Sequence, residues 1–226
     1  KKLLYLRDLG AILGTEINVT YHHNKNKKHG IILDDKELKL KKIDLLIVPD
    51  AGSNDKEAIL HCYENDVEVL ILDHHELNEE NALDTQAVLI NPHSSPNVEN
   101  KNISGVGVVC KFCRYIDKQL KVDLASKYLD LVALGIIADI IDLREKETRY
   151  FVQRGLSEIN NDFIKEIVDK QSFSMDSCVN ITSVGWYVAP MLNATIRVGK
   201  PKEIKDMFDA LIGVNKEIEY KRKDAI

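Results

Sequence analysis

Residues 43–76 read IDLLIVPDAGSNDKEAILHCYENDVEVLILDHHE. The runs 43–49 and 67–72 are short, apolar and rich in β-branched residues, the pattern of strands buried on both faces of a parallel sheet. Between them, 54–66 has helical spacing, with Ser53 or Asn54 as the expected N-cap. The stretch is therefore a strand, helix, strand unit in which each strand ends in an acidic residue, Asp50 or Asp73. A third apolar run at 86–90 stops at Asn91 and Pro92. Strands alternating with helices predict an α/β fold with an open, mostly parallel sheet flanked by helices, and such sheets carry ligands at the carboxyl ends of their strands.

After the loop 91–102, a glycine turn at 104–107 leads into a helix that extends to Leu120. Residues 123–143 form a largely buried helix expected to break near Gly135, with Asp139 and Asp142 conspicuous in IIADIIDL. Two amphipathic helices divided at INND follow over 145–169. The segment from Ile181 is expected to start as a strand, turn at Pro190 and pass Arg197 and Gly199 into another helix. No internal repeat or low-complexity segment is present.

The 226 residues carry 31 Lys and Arg against 36 Asp and Glu, a net charge of −5, so no global basic field draws the chain to a polyanion. A local one exists at 21–42, where seven lysines face three acidic residues. That stretch fits either a polyanion-binding surface or a solvated loop and helix face. Four cysteines, Cys62, Cys110, Cys113 and Cys178, are too few for a disulfide scaffold, and Cys110-x-x-Cys113 has no second pair to complete a zinc site. No apolar run reaches the roughly 18–20 residues of a membrane span. The expected location is the cytoplasm, without membrane association.

Ordinary packing asks for none of the polar residues in DHH after an apolar strand. The topology puts Asp50, Asp73, His74 and His75 along one crevice, and Asp139 can join them from 123–143. Crowded carboxylates repel one another unless a cation sits among them, and imidazole among carboxylates suits manganese. Two cations about 4 Å apart could activate water and neutralise charge on a phosphoryl group. An aspartate at a strand end is also an ordinary helix cap, and a single histidine there is often only hydrogen-bonded. The adjacent pair His74 and His75, with Asp50 on the neighbouring strand, is what favours a metal site.

These residues resemble a known family. ILDHHE resembles the signature of the DHH phosphoesterase superfamily, IVPDAGSND its preceding aspartate motif, and LVALGIIADIIDL a later metal-binding motif. The stretches LINPHSSPN, ISGVGVVCKF and APMLNATIRVG resemble the RecJ branch, 5′ to 3′ exonucleases specific for single-stranded DNA. The resemblance implies one DHH domain over 1–213 and the start of a connecting helix at 214–226. It implies Asp50, His74 and Asp139 as ligands of manganese or magnesium, His75 as the group that meets the scissile phosphate, and Asp73 as the carboxylate that orients a histidine. Ser104, Gly105 and Gly107 would let backbone approach substrate, and Asn193 and Arg197 would lie near phosphates. The implied partners are single-stranded DNA and single-strand-binding protein or other repair and replication proteins.

Departures from that pattern are equally specific. A D-x-D motif is expected on a strand leading into the helix at Lys1, and a second domain after the connecting helix, so the chain reads as one catalytic lobe without either. Met191 stands where the family has arginine, and Thr195 and Ile196 replace alanine and glycine. Two other functions remain open: a non-catalytic relative that binds DNA or replication proteins, and a phosphodiesterase acting on short oligonucleotides or dinucleotides.

Overall fold

The structure, a computed structural model, describes residues 2–19, 30–32, 43–78 and 86–213. The lysine-rich stretch 21–42, apart from 30–32, and the connecting helix expected at 214–226 lie outside the described residues. The chain divides into two compact units: a sheet unit over 18–112, and a helical unit formed by 1–17 and 113–226.

The sheet unit holds β1 (Leu45–Pro49), α2 (Lys56–Glu64), β2 (Glu68–Leu72) and β3 (Val88–Ile90), α1 being the N-terminal helix Lys2–Leu13 of the other unit. The strands lie in the order β1-β2-β3 and both pairings are parallel. Pro49 pairs with Leu72 and Leu72 with Ile90, so the three strands end in register. Val67, Val69 and Ile71 point to one side of the sheet, where they pack with Val48 against Ile59 and Cys62 of α2. Leu70 and Leu72 are buried on the other side, which is why this strand is apolar at nearly every position. The N-cap of α2 is Asp55 rather than Ser53 or Asn54, and the Asp55 carboxylate accepts the Ile31 N–H at 2.7 Å instead of capping the helix. Ser53 and Asn54 are drawn away to the loop after β2.

Helix α3 (Gly105–Leu120) begins on its first glycine, so the expected glycine turn is the opening turn of the helix itself. Ser104 makes this possible: its carbonyl accepts the Val108 N–H at 3.0 Å and its hydroxyl the Gly107 N–H at 3.3 Å, as an N-cap does.

The helical unit is organised around α4 (Leu129–Ala138), preceded by a 3-10 turn at Ala125–Tyr128 and packed against α5 (Lys146–Ser157). Gly155 of α5 lies so close to α4 that an added Cβ would overlap the Leu129 carbonyl and come within 2.6 Å of the Ala133 methyl. Helix α4 runs straight through Gly135 and ends three residues later, with Asp139 at its C-cap and Ile140 at a φ of 54°. Packing of the flanking buried residues Leu134 and Ile136 overrides the local weakness of one glycine.

The expected strand at Ile181 is helical. A run of α7 (Ile181–Ser183), a π-turn (Val184–Val188) and α8 (Ala189–Val198) replaces it, starting from a capping box between Asn180 and Ser183. Val184, Val188 and Leu192 are buried at helical spacing, and that periodicity outweighs the β-propensity of the residues around it. Pro190 makes no turn; it sits in the first turn of α8, where a missing N–H costs least. It cannot donate to the carbonyl four residues back, and the backbone before it widens into the π-turn. Helices α6 (Asp162–Lys170) and α9 (Pro201–Leu211) pack with these elements in a second core that includes Ile164, Ile167 and Met207. Among the described residues, no helix is long and apolar enough to cross a membrane. The four cysteines are free thiols, and only Cys178 is exposed.

Candidate metal centre

The ladder hydrogen bonds continue one residue past each strand: the Asp50 N–H donates to Leu72 O at 2.9 Å and the Asp73 N–H to Ile90 O at 3.1 Å. Asp50, Asp73 and Asn91 therefore stand side by side where the sheet ends, and the chain turns away from each. At Asp50 it does so in the left-handed region, with φ at 62°, which aspartate tolerates better than most residues.

Asp50, His74 and His75 bring one ligand atom each to within 4.8 Å of one another. His74 Nε2 lies 3.1 Å from Asp50 Oδ1, and the two imidazole centroids are 4.7 Å apart. The Asp50 and His75 side chains are about half exposed, at 54% and 56%. Asp50 in turn lies against the start of α3. A Cβ at Gly105 would overlap its carboxylate and sit 2.6 Å from Cγ, so only glycine leaves room there, and the positive end of a 16-residue helix faces the charge.

Asp73 lies behind the histidines with only 1% of its surface exposed. Its Oδ1 accepts the backbone N–H of His74 at 2.8 Å and of His75 at 3.3 Å, and pairs with His75 Nδ1 at 2.7 Å. Its Oδ2 accepts the Ser53 N–H at 3.2 Å, and the Ser53 hydroxyl donates to the same carboxylate. Burial is the largest single influence on this carboxyl and opposes charge. The hydrogen bonds from Ser53, His75 and the His74 backbone together prevail, holding its pKa down at about 2. A charged carboxylate only accepts, so Nδ1 of His75 carries a proton and Nε2 is the ring nitrogen left for other work.

Two further side chains grip the loop. Asn54 donates to Glu76 O at 3.0 Å and accepts the Asn78 N–H at 2.8 Å. Asn91 donates to Ser53 Oγ and to His75 O, both at 2.9 Å. The sequence reading missed Ser53, Asn54 and Asn91 as parts of the site. The available signal for Asn91 was its place at the end of the third strand, the position that Asp50 and Asp73 hold on the first two.

Of the other expected site residues, Ser104 is fully buried and spent on its cap. Gly107 packs against Ile103, whose Cγ1 is 2.5 Å from where a Cβ would stand. Asp139, Asn193 and Arg197 belong to the helical unit: Asp139 is exposed at the end of α4, Asn193 is half-buried on α8, and Arg197 is exposed in its last turn. Asp142 is engaged by Arg144, whose guanidinium lies 2.5 Å away and lowers the carboxyl pKa. Met191 is half-buried against the helical core, its sulfur 3.3 Å from Gln171 Nε2.

The family model described as "DHH family, N-terminal domain" matches residues 3–136. The chain belongs to the DHH family. Among curated relatives it is similar to a Bacillus subtilis protein named for an SPbeta prophage-derived single-strand DNA-specific exonuclease, YorK. The two are 35% identical over 206 residues, which cover 91% of this chain and 35% of that protein. It is also similar to the single-stranded-DNA-specific exonuclease RecJ of Thermus thermophilus, at 24% identity over 85% of this chain and 28% of the relative. This DHH chain thus spans about a third of the length of the curated relatives it matches. In three dimensions it resembles a crystal structure of exonuclease RecJ bound to manganese, with a TM-score of 0.76 and 22% identity over 94% of this chain and 53% of that one. A second likeness is to Thermus thermophilus RecJ in complex with manganese, with a TM-score of 0.67 over 79% of this chain and 26% of that one. The α/β fold with its open parallel sheet is accordingly that of the RecJ DHH domain.

The donor set of this chain fits a divalent cation of that kind. A carboxylate and two imidazoles converge, a mixture that suits manganese, and a cation held by Asp50 and His74 would keep positions open for water or substrate beside His75.

Proposed function

We propose that this chain is the DHH part of a metal-dependent phosphodiesterase that removes nucleotides from the 5′ end of single-stranded DNA, in the cytoplasm and in the service of DNA repair or recombination. The observation that carries the reading is the convergence of Asp50, His74 and His75 in front of a buried, charged Asp73. The similarity to exonucleases specific for single-stranded DNA supports the choice of substrate.

In this reading Asp50 and His74 hold manganese or magnesium, and Asp139 contributes to a two-metal site. A bound cation of this type supplies Lewis acidity toward phosphoryl oxygen and lowers the pKa of an attacking water. The Asp73 carboxylate keeps the proton of His75 on Nδ1 and turns Nε2 toward the scissile phosphate. Gly105 keeps Asp50 against the N-terminus of α3, with Ser104 and Gly107 shaping that opening turn near the substrate. Asn193 and Arg197 serve the phosphates of the strand, Arg197 through its planar pair of donors. Single-strand-binding protein or another repair or replication protein is the expected macromolecular partner.

The test uses the full-length gene product with manganese and a 5′-phosphorylated single strand. Cleavage is expected, starting at the 5′ end, with loss of activity in His75→Ala. Activity unchanged by that substitution would overturn the assignment.

A second reading, a DHH protein that binds DNA or replication proteins without cutting, is favoured by Met191, which puts a thioether in the helical core where the family has arginine. Calorimetric titration with manganese separates the two, because no binding by the intact protein supports the second.

A further inference from the structure

Asn91 is the least conspicuous member of the row of residues at the strand ends, and the geometry gives it a definite task. Its side chain is 3% exposed, too buried to meet a substrate, and each of its polar atoms is committed. Nδ2 donates to Ser53 Oγ and to His75 O, each at 2.9 Å, while Oδ1 accepts the His93 N–H at 2.8 Å. A carbonyl cannot donate and a backbone N–H cannot accept, so the partners themselves fix which way round the amide lies. The same logic passes along the chain of contacts. Because Ser53 Oγ accepts from Asn91, its own proton is directed to Asp73, the carboxylate that holds His75 Nδ1.

His75 is thereby held at three points: its N–H and ring by Asp73, and its carbonyl by Asn91. The ring is nevertheless about half exposed, so surrounding bulk does not fix its orientation. We propose that Asn91 and Ser53 are positioning residues that act through Asp73 and the His75 carbonyl to set the tautomer and aim of the His75 imidazole. This rests on His75 being the group that faces the phosphate, and it names the second layer that makes it so.

The experiment compares the unsubstituted protein with Asn91→Asp, which keeps the shape but loses both donated hydrogens, and Ser53→Ala, which removes one hydroxyl. The ring nitrogens of His75 are read by two-bond proton–nitrogen correlation in metal-free protein, at a pH where the ring is neutral. Circular dichroism identifies variants that have kept their fold. The Nδ1-protonated tautomer is expected to dominate in the unsubstituted protein and to give way to the Nε2-protonated form in the variants. If Asn91→Asp does not fold, Ser53→Ala alone decides. A folded Ser53→Ala protein whose His75 keeps its native tautomer overturns the proposal. Cleavage of single-stranded DNA by the unsubstituted protein is measured in parallel. A shifted tautomer without any cleavage would sink the nuclease reading and leave the clamp standing.

Discussion

Both units bury carboxylates almost completely, and they use them in opposite ways. In the helical unit, Asp117 accepts hydrogen bonds from Tyr5 Oη at 2.8 Å and from the backbone of Leu124 and Ala125 at 2.9 and 2.7 Å. Asp130 accepts from the backbone of Leu131, Asn160 and Asn161 at 2.7 to 2.9 Å. Apart from the buried Tyr5 phenol, the donors are backbone N–H groups, so each carboxylate fastens segments of the helical unit to one another. Asp73 in the sheet unit also accepts backbone hydrogen bonds, but one of its donors is an imidazole that reaches solvent. A buried charge can therefore bear on a solvent-facing group when one of its partners is both ionisable and exposed.

Deleting one carboxylate from each unit should have the largest effects. Asp73→Ala and Asp130→Ala should each destabilise the fold by about 2–4 kcal/mol, because buried donors lose a charged acceptor. Chemical denaturation measures that cost. Only Asp73→Ala should also weaken manganese binding, by about 10- to 100-fold in a calorimetric titration. Equal loss of manganese affinity in the two variants would erase the distinction.

A glycine from each unit gives a milder contrast. Gly155→Ala drives a methyl into the backbone of α4 and should cost about 1–3 kcal/mol of stability while leaving metal affinity alone. Gly105→Ala presses on the Asp50 carboxylate instead and should lower manganese affinity about tenfold, an effect of the size seen when a ligand's support is disturbed. A Gly105→Ala protein that binds manganese normally would show that Asp50 yields without consequence.

The smallest effect under ordinary conditions is confined to alkaline solution and to the helical unit. Burial, reinforced by Asp117, pushes the Tyr5 phenol well above its usual range, and burial with Asp8 does the same for Tyr128. A raised folded-state pKa means the native state keeps protons that the unfolded chain gives up. The stabilisation is therefore complete below the unfolded value of about 10 and is lost as the pH rises beyond it. As far as these two phenols are concerned, thermal melting should not change between neutral pH and that point and should then decline. Tyr5→Phe, which has no proton to lose, should make the decline shallower.

The sheet topology was legible in the sequence because a strand buried on both faces must be apolar at nearly every position, as 67–72 is. The juxtaposition of Asp50 with Asp73, His74 and His75 followed from parallel strands that end together. The helical unit was less legible where two local signals competed. Ile181–Val188 has strand-like composition, yet an N-cap at Asn180 and a buried helical stripe decide for helix. Gly135 looks like a break, yet the core on both sides carries α4 through it.

The order of the chain thus placed Asp50, Asp73, His74 and His75 together, since parallel strands that end in register bring the residues after them side by side. How they are held depends on contacts between distant parts of the chain. Ser53 and Asn91 are 38 positions apart, and nothing local distinguishes them from a cap and a strand terminator. They become partners because parallel pairing brings the ends of different strands together, and because polar atoms buried there must find one another or go unsatisfied.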